Sequence, residues 1–321
     1  MISLKRTAQQ IAWILAIVFI FLNLIAFFHA YKFTHFVNTD VVRTKSPEKL
    51  NSFEKIKTLI FGINNPRPVN KVIPDQYYKT VRLKSNKEIA CWQFESVKSK
   101  KNNSVKGTVI LFHGYCSEKS SMLEKSKVFL NLGYNTFLVD FMGSGGSEGN
   151  QTTLGFKEAE EVKTAYDFVK NHKENKVYLF GTSMGAVAIM KAIKDYKLDL
   201  AGVIIECPFG SMYKTTCERF QIMHLPTFPM AGLLLFWGGL QNGFCAFRHN
   251  PTEYAKKIKC PTLLLYGEQD KNVSRQEIDE IYTNLKGKKT LKLYKLAGHE
   301  DYLIKYKDQW IKDISQFLES N

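Results

Sequence analysis

Three side chains in this sequence have the types and the placement for nucleophilic chemistry: Ser183, Asp270 and His299. Ser183 stands in Gly181-Thr182-Ser183-Met184-Gly185, a G-x-S-x-G pattern. A serine hydroxyl is a poor nucleophile until a base takes its proton. That base is best a histidine, with a carboxylate to hold its ring. Asp270 closes the run Leu263-Leu264-Leu265-Tyr266-Gly267-Glu268-Gln269-Asp270, an apolar strand pattern entering a glycine turn. His299 follows another strand pattern, in Leu296-Ala297-Gly298-His299-Glu300. Together the three would attack a carbonyl and pass through an acyl intermediate.

Each of these readings rests on context. In a chain this long the serine pattern arises by chance about once in ten sequences. Here, residues 176–180 read as a buried strand, and 186–193 as a small, apolar helix start. Strand, tight turn and helix form the setting that turns the pattern into a nucleophile elbow. Its two glycines allow the sharp turn and leave room beside Ser183. Asp270 also fits a turn or helix N-cap, and Glu206, at the end of an earlier strand pattern, is the rival acid. His224 and His249 fall in an insertion, and His172 ends a helix. His113 is expected to shape a loop rather than to act as base.

The elements around these residues alternate. Strands are expected at 78–83 and 88–94 (a hairpin through Ser85-Asn86-Lys87), 108–112, 135–140, 201–206, 262–266 and 290–296. Helices are expected at 121–132, 156–171, 275–285 and 302–318. Over 156–171, Phe156, Ala159, Val162, Ala165, Tyr166 and Val169 lie near one face. Such alternation predicts an α/β fold with a mostly parallel sheet and helices on both faces. Ligands of such sheets bind beyond the strands' carboxyl ends, where all three candidates lie.

Over roughly residues 76–321 the chain resembles the α/β-hydrolase superfamily of serine hydrolases. The matching pieces are Leu111-Phe112-His113-Gly114, the turn from Asp140 to Ser147 (similar to D-x-R-G-x-G-x-S), the elbow, the strand into Asp270, and Ala297-Gly298-His299-Glu300. The resemblance implies Ser183 as nucleophile, Asp270 as acid and His299 as base. It also implies an oxyanion hole from the amides of Met184 and Tyr115. Met142 stands where many members carry arginine. No cofactor is expected. The activity implied is a carboxylic ester hydrolase acting on a small-molecule or lipid-like acyl substrate. A serine peptidase or amidase is the alternative, and a non-catalytic binding protein of the same fold the third reading.

Residues 11–28 form an apolar run of 18, broken only by Asn23 and preceded by Lys5 and Arg6. That length can cross a bilayer as a helix. An uncleaved anchor over 1–35 is expected, with a cleaved signal peptide as the competing reading, and the body outside the cytoplasm by the charge asymmetry. Residues 36–75 read as a connecting segment, with a helix over 47–60 capped by Ser46. An insertion at about 208–260 contains the apolar stretch 225–240. It reads as a small helical cap, or alternatively as a lid that touches the membrane. The net charge of +15 (45 basic minus 30 acidic) comes mostly from dispersed lysines. No nucleic-acid module is visible, and no nucleic-acid partner is expected. The lysines at 96–107 read as a solvated hairpin loop. Six scattered cysteines without C-x-x-C spacing give no expected metal site.

Overall fold

The computed structural model describes residues 2–38, 40–96, 105–172 and 176–321. Most of the lysine-rich loop expected at 96–107 lies outside them. Eight strands form one sheet: β1 (Lys79–Lys84), β2 (Glu88–Phe94), β3 (Thr108–Phe112), β4 (Asn135–Val139), β5 (Val177–Thr182), β6 (Gly202–Glu206), β7 (Thr262–Gly267) and β8 (Lys289–Tyr294). Their spatial order is β1-β2-β4-β3-β5-β6-β7-β8. β1 and β2 pair as the expected antiparallel hairpin, and β2 meets β4 antiparallel. Every pairing from β4 to β8 is parallel.

The central strands are apolar along their whole length because both faces are covered. β3, β4, β6 and β7 are buried at every residue. Alternate side chains divide between two cores. Ile110 and Phe112 face α4 (Glu158–Asn171), α5 (Met184–Asp195) and α9 (Arg275–Asn284). Val109 and Leu111 face α3 (Leu123–Leu132) and α11 (Lys307–Glu319), whose Trp310 is fully buried. A short α10 (Tyr302–Lys305) precedes α11, so the terminal helix expected as one piece is two.

Two elements outside the sheet bear on the site. Helix α1 (Ile2–Thr34) is exposed from residue 5 through residue 21, whereas Ala26, Ala30 and Thr34 are buried against the body. It is long and apolar enough to cross a membrane. The β6–β7 insertion holds α6 (Met212–Ile222), α7 (Met230–Gln241) and a short α8 (Pro251–Ala255). α7 packs along α1. Trp237 Nε1 donates to Asn23 Oδ1 at 3.1 Å, and Gln241 Nε2 donates to the Phe27 carbonyl at 2.9 Å. The Phe27 and Trp237 rings meet edge to face at 5.3 Å.

The helix expected over 47–60 differs at its start. A single turn, Pro47–Lys49, precedes α2 (Ser52–Phe61). Asn51, not Ser46, caps α2, in a reciprocal capping box with Glu54. The Asn-x-x-Glu spacing satisfies two orphan donors at once, whereas the Ser46 hydroxyl is occupied by Glu48.

Candidate active site

β5 delivers Ser183 into a strained turn at φ 52°, ψ −112°, a region that non-glycine residues occupy only where the surroundings hold them. Those surroundings are visible. The Ser183 amide donates to the Glu206 carbonyl at 2.7 Å, tying the elbow to the neighbouring strand. A Cβ at Gly181 would lie 2.6 Å from the Ala186 nitrogen, and one at Gly185 would lie 2.4 Å from the Phe112 carbonyl oxygen. Glycine at these two positions lets α5 start directly against β3.

The structure brings Ser183, His299 and Asp270 together. Ser183 Oγ lies 3.0 Å from His299 Nε2, and His299 Nδ1 lies 2.7 Å from Asp270 Oδ2. With Nδ1–H donating to the carboxylate, Nε2 is left as an acceptor facing the hydroxyl. Asp270 Oδ1 accepts from the amides of Asn272 (2.8 Å) and Val273 (3.1 Å), so the carboxylate cannot swing away. Its side chain is closed to solvent, whereas that of His299 is 25% exposed. The serine-facing end of this hydrogen-bonded chain is therefore the open one.

Glu206 is engaged elsewhere. Its carboxylate accepts from Lys125 Nζ at 2.7 Å, from the Trp310 indole at 3.1 Å and from the Thr182 hydroxyl at 3.2 Å. Lys125 also meets Asp301 at 3.2 Å. Burial by itself would lower the Lys125 pKa, but the two carboxylates outweigh it and hold it above its ordinary value. This charged cluster sits behind the elbow, and nothing in the spacing of Lys125 along α3 marks it in the sequence.

Tyr115 and Met184 stand where their amides could meet an oxyanion. Met184 opens α5, so its amide has no acceptor one turn back in the helix. The loop after β3 passes close by: a Cβ at Gly114 would lie 3.7 Å from that of Ser183. The Tyr115 side chain points away from this role. Its hydroxyl donates to the Phe33 carbonyl at 2.7 Å and accepts from Asn65 Nδ2 at 3.0 Å, and its ring stacks on Phe33 at 4.9 Å. The end of α1 is thus fastened to the loop beside the serine, a link the sequence does not signal. His113 is fully buried, accepting from the Phe141 amide at 3.1 Å and bonding Gly114 O at 2.8 Å. Burial lowers its pKa, which suits a neutral ring bracing two loops. Met142 is buried, and its loop receives a guanidinium from outside. Arg67 donates to the carbonyls of Gly145 (2.9 Å), Ser147 and Gly149 (3.3 Å). No group of metal-ligating side chains occurs among the described residues.

Residues 103–233 match the family described as Serine aminopeptidase, S33. The uncharacterized protein YqkD of Bacillus subtilis is 25% identical over 66% of this chain and 71% of its own length. The lysophosphatidylserine lipase ABHD12 of Macaca fascicularis is 24% identical over 54% of this chain and 44% of its own. Among solved structures, the Pyrococcus furiosus esterase PF2001 superposes with a TM-score of 0.64 at 24% identity, covering 79% of this chain and 96% of the esterase. The sheet order, the elbow and these likenesses agree: the chain has the α/β-hydrolase fold and is similar to that superfamily's esterases and lipases.

Proposed function

We propose that the protein is a membrane-anchored serine hydrolase that cleaves an ester or related acyl bond. The observation that carries this reading is the unbroken hydrogen-bond chain from Asp270 through His299 to Ser183. Ser183 Oγ attacks the acyl carbonyl while His299 Nε2 takes its proton. The amides of Met184 and Tyr115 receive the charge on the carbonyl oxygen, each typically lowering the barrier by about 3–4 kcal/mol. Asp270 stabilises the imidazolium, which then protonates the leaving group. Water, deprotonated by the same imidazole, releases the acyl group from Ser183.

An esterase and a lipase stand among the similar proteins, which favours an acyl ester. The match to a serine aminopeptidase family keeps amide cleavage as the second reading. A fluorophosphonate probe tests the core of the proposal. Labelling of the wild type that Ser183→Ala abolishes is expected; an unlabelled wild type would sink it. A chain-length series of p-nitrophenyl esters beside aminoacyl amides then separates ester from amide.

The anchor reading rests on depth. A bilayer core takes about 20 helical residues. Counted from Lys5 and Arg6, it ends near Ala26. Trp237 lies at that level, bonded to Asn23, and tryptophan favours the membrane–water boundary. Phe228, Phe236 and Leu240 around it are exposed, and α7 carries no charged residue. In this reading α7 rests in the outer face of the membrane and the body lies outside the cytoplasm.

A further inference from the structure

Arg219 of α6 reaches the segment that follows β3. Its guanidinium carbon lies 4.9 Å from the centroid of the Phe33 ring, the ring on which Tyr115 also stacks. Its electrostatic neighbours are Tyr115, Cys116, Glu48 and Arg43. Among the described residues no ion pair or hydrogen bond takes up this guanidinium, and its Nε is closed to solvent without an acceptor. Glu48 accepts from the Ser46 hydroxyl and acts on Arg219 from beyond ion-pair distance. Burial pushes the Cys116 thiol up to about 11 and the Tyr115 phenol well above its usual range, so both face Arg219 uncharged. Arg43 adds a second guanidinium, spending one donor on the Cys116 carbonyl at 3.1 Å.

A guanidinium carries five donors; here Nε is shut from water without an acceptor, which is costly, while the half-buried side chain leaves its terminal nitrogens without a protein partner. Stacking on Phe33 offsets part of that cost but satisfies no N–H. The position adds a second constraint. Phe33 lies seven residues beyond Ala26, about 10 Å past the hydrocarbon boundary at 1.5 Å per residue, just outside a headgroup layer about 5–8 Å deep. The same loop reaches Ser183 through Gly114.

We propose that Arg219, with Arg43 beside it, forms an anion subsite that holds the phosphate or carboxylate of an amphiphilic acyl ester while its carbonyl is presented to Ser183. This rests on the hydrolase reading above, and planar bidentate pairing with such groups is what arginine does best. The test compares a monoacylglycerol phosphate with the monoacylglycerol of the same acyl chain, in neutral detergent micelles. In Arg219→Met the ratio of kcat/KM, anionic over neutral, should fall by about tenfold or more, with Arg219→Lys recovering part of it. A ratio within about twofold of wild type would overturn the subsite. Because both substrates meet the same protein sample, partial misfolding cancels. Inorganic phosphate titrated against neutral-ester turnover separates the sources. Inhibition that Arg219→Met relieves means the subsite accepts the free anion. No inhibition, with the ratio effect intact, means it reads the anion only on an acylated headgroup. Wild type that no fluorophosphonate labels would defeat the hydrolase reading itself, whereas labelled wild type with an unchanged ratio defeats the subsite alone.

Discussion

Asp270 has one oxygen on His299 and the other on two backbone amides, so Asp270→Asn keeps the shape of the site but favours the wrong histidine tautomer. Turnover should fall by about 10³–10⁴-fold with the protein still folded, read by kcat beside circular dichroism. Glu206→Gln should do the reverse. It breaks a buried pair with Lys125 and should cost about 3–5 kcal/mol of stability, while Ser183 in the folded fraction still takes a fluorophosphonate. If Glu206→Gln proves the more damaging to turnover, the acid is misassigned. Glu218 supplies a pH dependence. Burial, reinforced by the nearby Glu277 carboxylate, pushes its pKa from 4.5 up to about 8. The folded state then holds a proton that the unfolded chain releases from about pH 4.5 upward. The stability Glu218 contributes is full below that point and is lost as pH rises towards 8. Thermal midpoints measured from pH 4.5 to 8 should decline less steeply in Glu218→Gln than in wild type.

At the scale of elements, the site depends on how closely α5 abuts β3. Gly185→Ala would place a methyl 2.4 Å from the Phe112 carbonyl and 2.7 Å from that of His113, both backbone atoms that cannot rotate aside. A loss of about 3 kcal/mol is expected, measured by urea unfolding. The strands and helices that build this contact were legible because buried parallel strands are uniformly apolar and their covering helices keep a 3.6-residue period. Element ends were less legible. Competing caps decide them locally, as Asn51 does over Ser46, and a break between α10 and α11 leaves the apolar pattern of 302–318 uninterrupted.

At the scale of the whole molecule, α1 and α7 act as one unit, joined by Asn23–Trp237 and Phe27–Gln241. Full-length protein should stay with the membrane pellet through alkaline carbonate and leave it only in detergent; recovery in the soluble fraction without detergent would refute the anchor. By itself the sequence determined the fold class, the strand order along the chain and the three side chains that now meet within 3.0 Å. These are carried by local patterns: a glycine-flanked serine after a strand, and an acid and a histidine after two later ones. Only the tertiary structure decided that Glu206 pairs with Lys125, that Arg67 serves the loop lacking arginine at Met142, and that Phe33 of α1 touches both Tyr115 and Arg219. Each of those contacts joins residues far apart in the chain, and a long-range partner leaves no periodic trace in the sequence on either side of it.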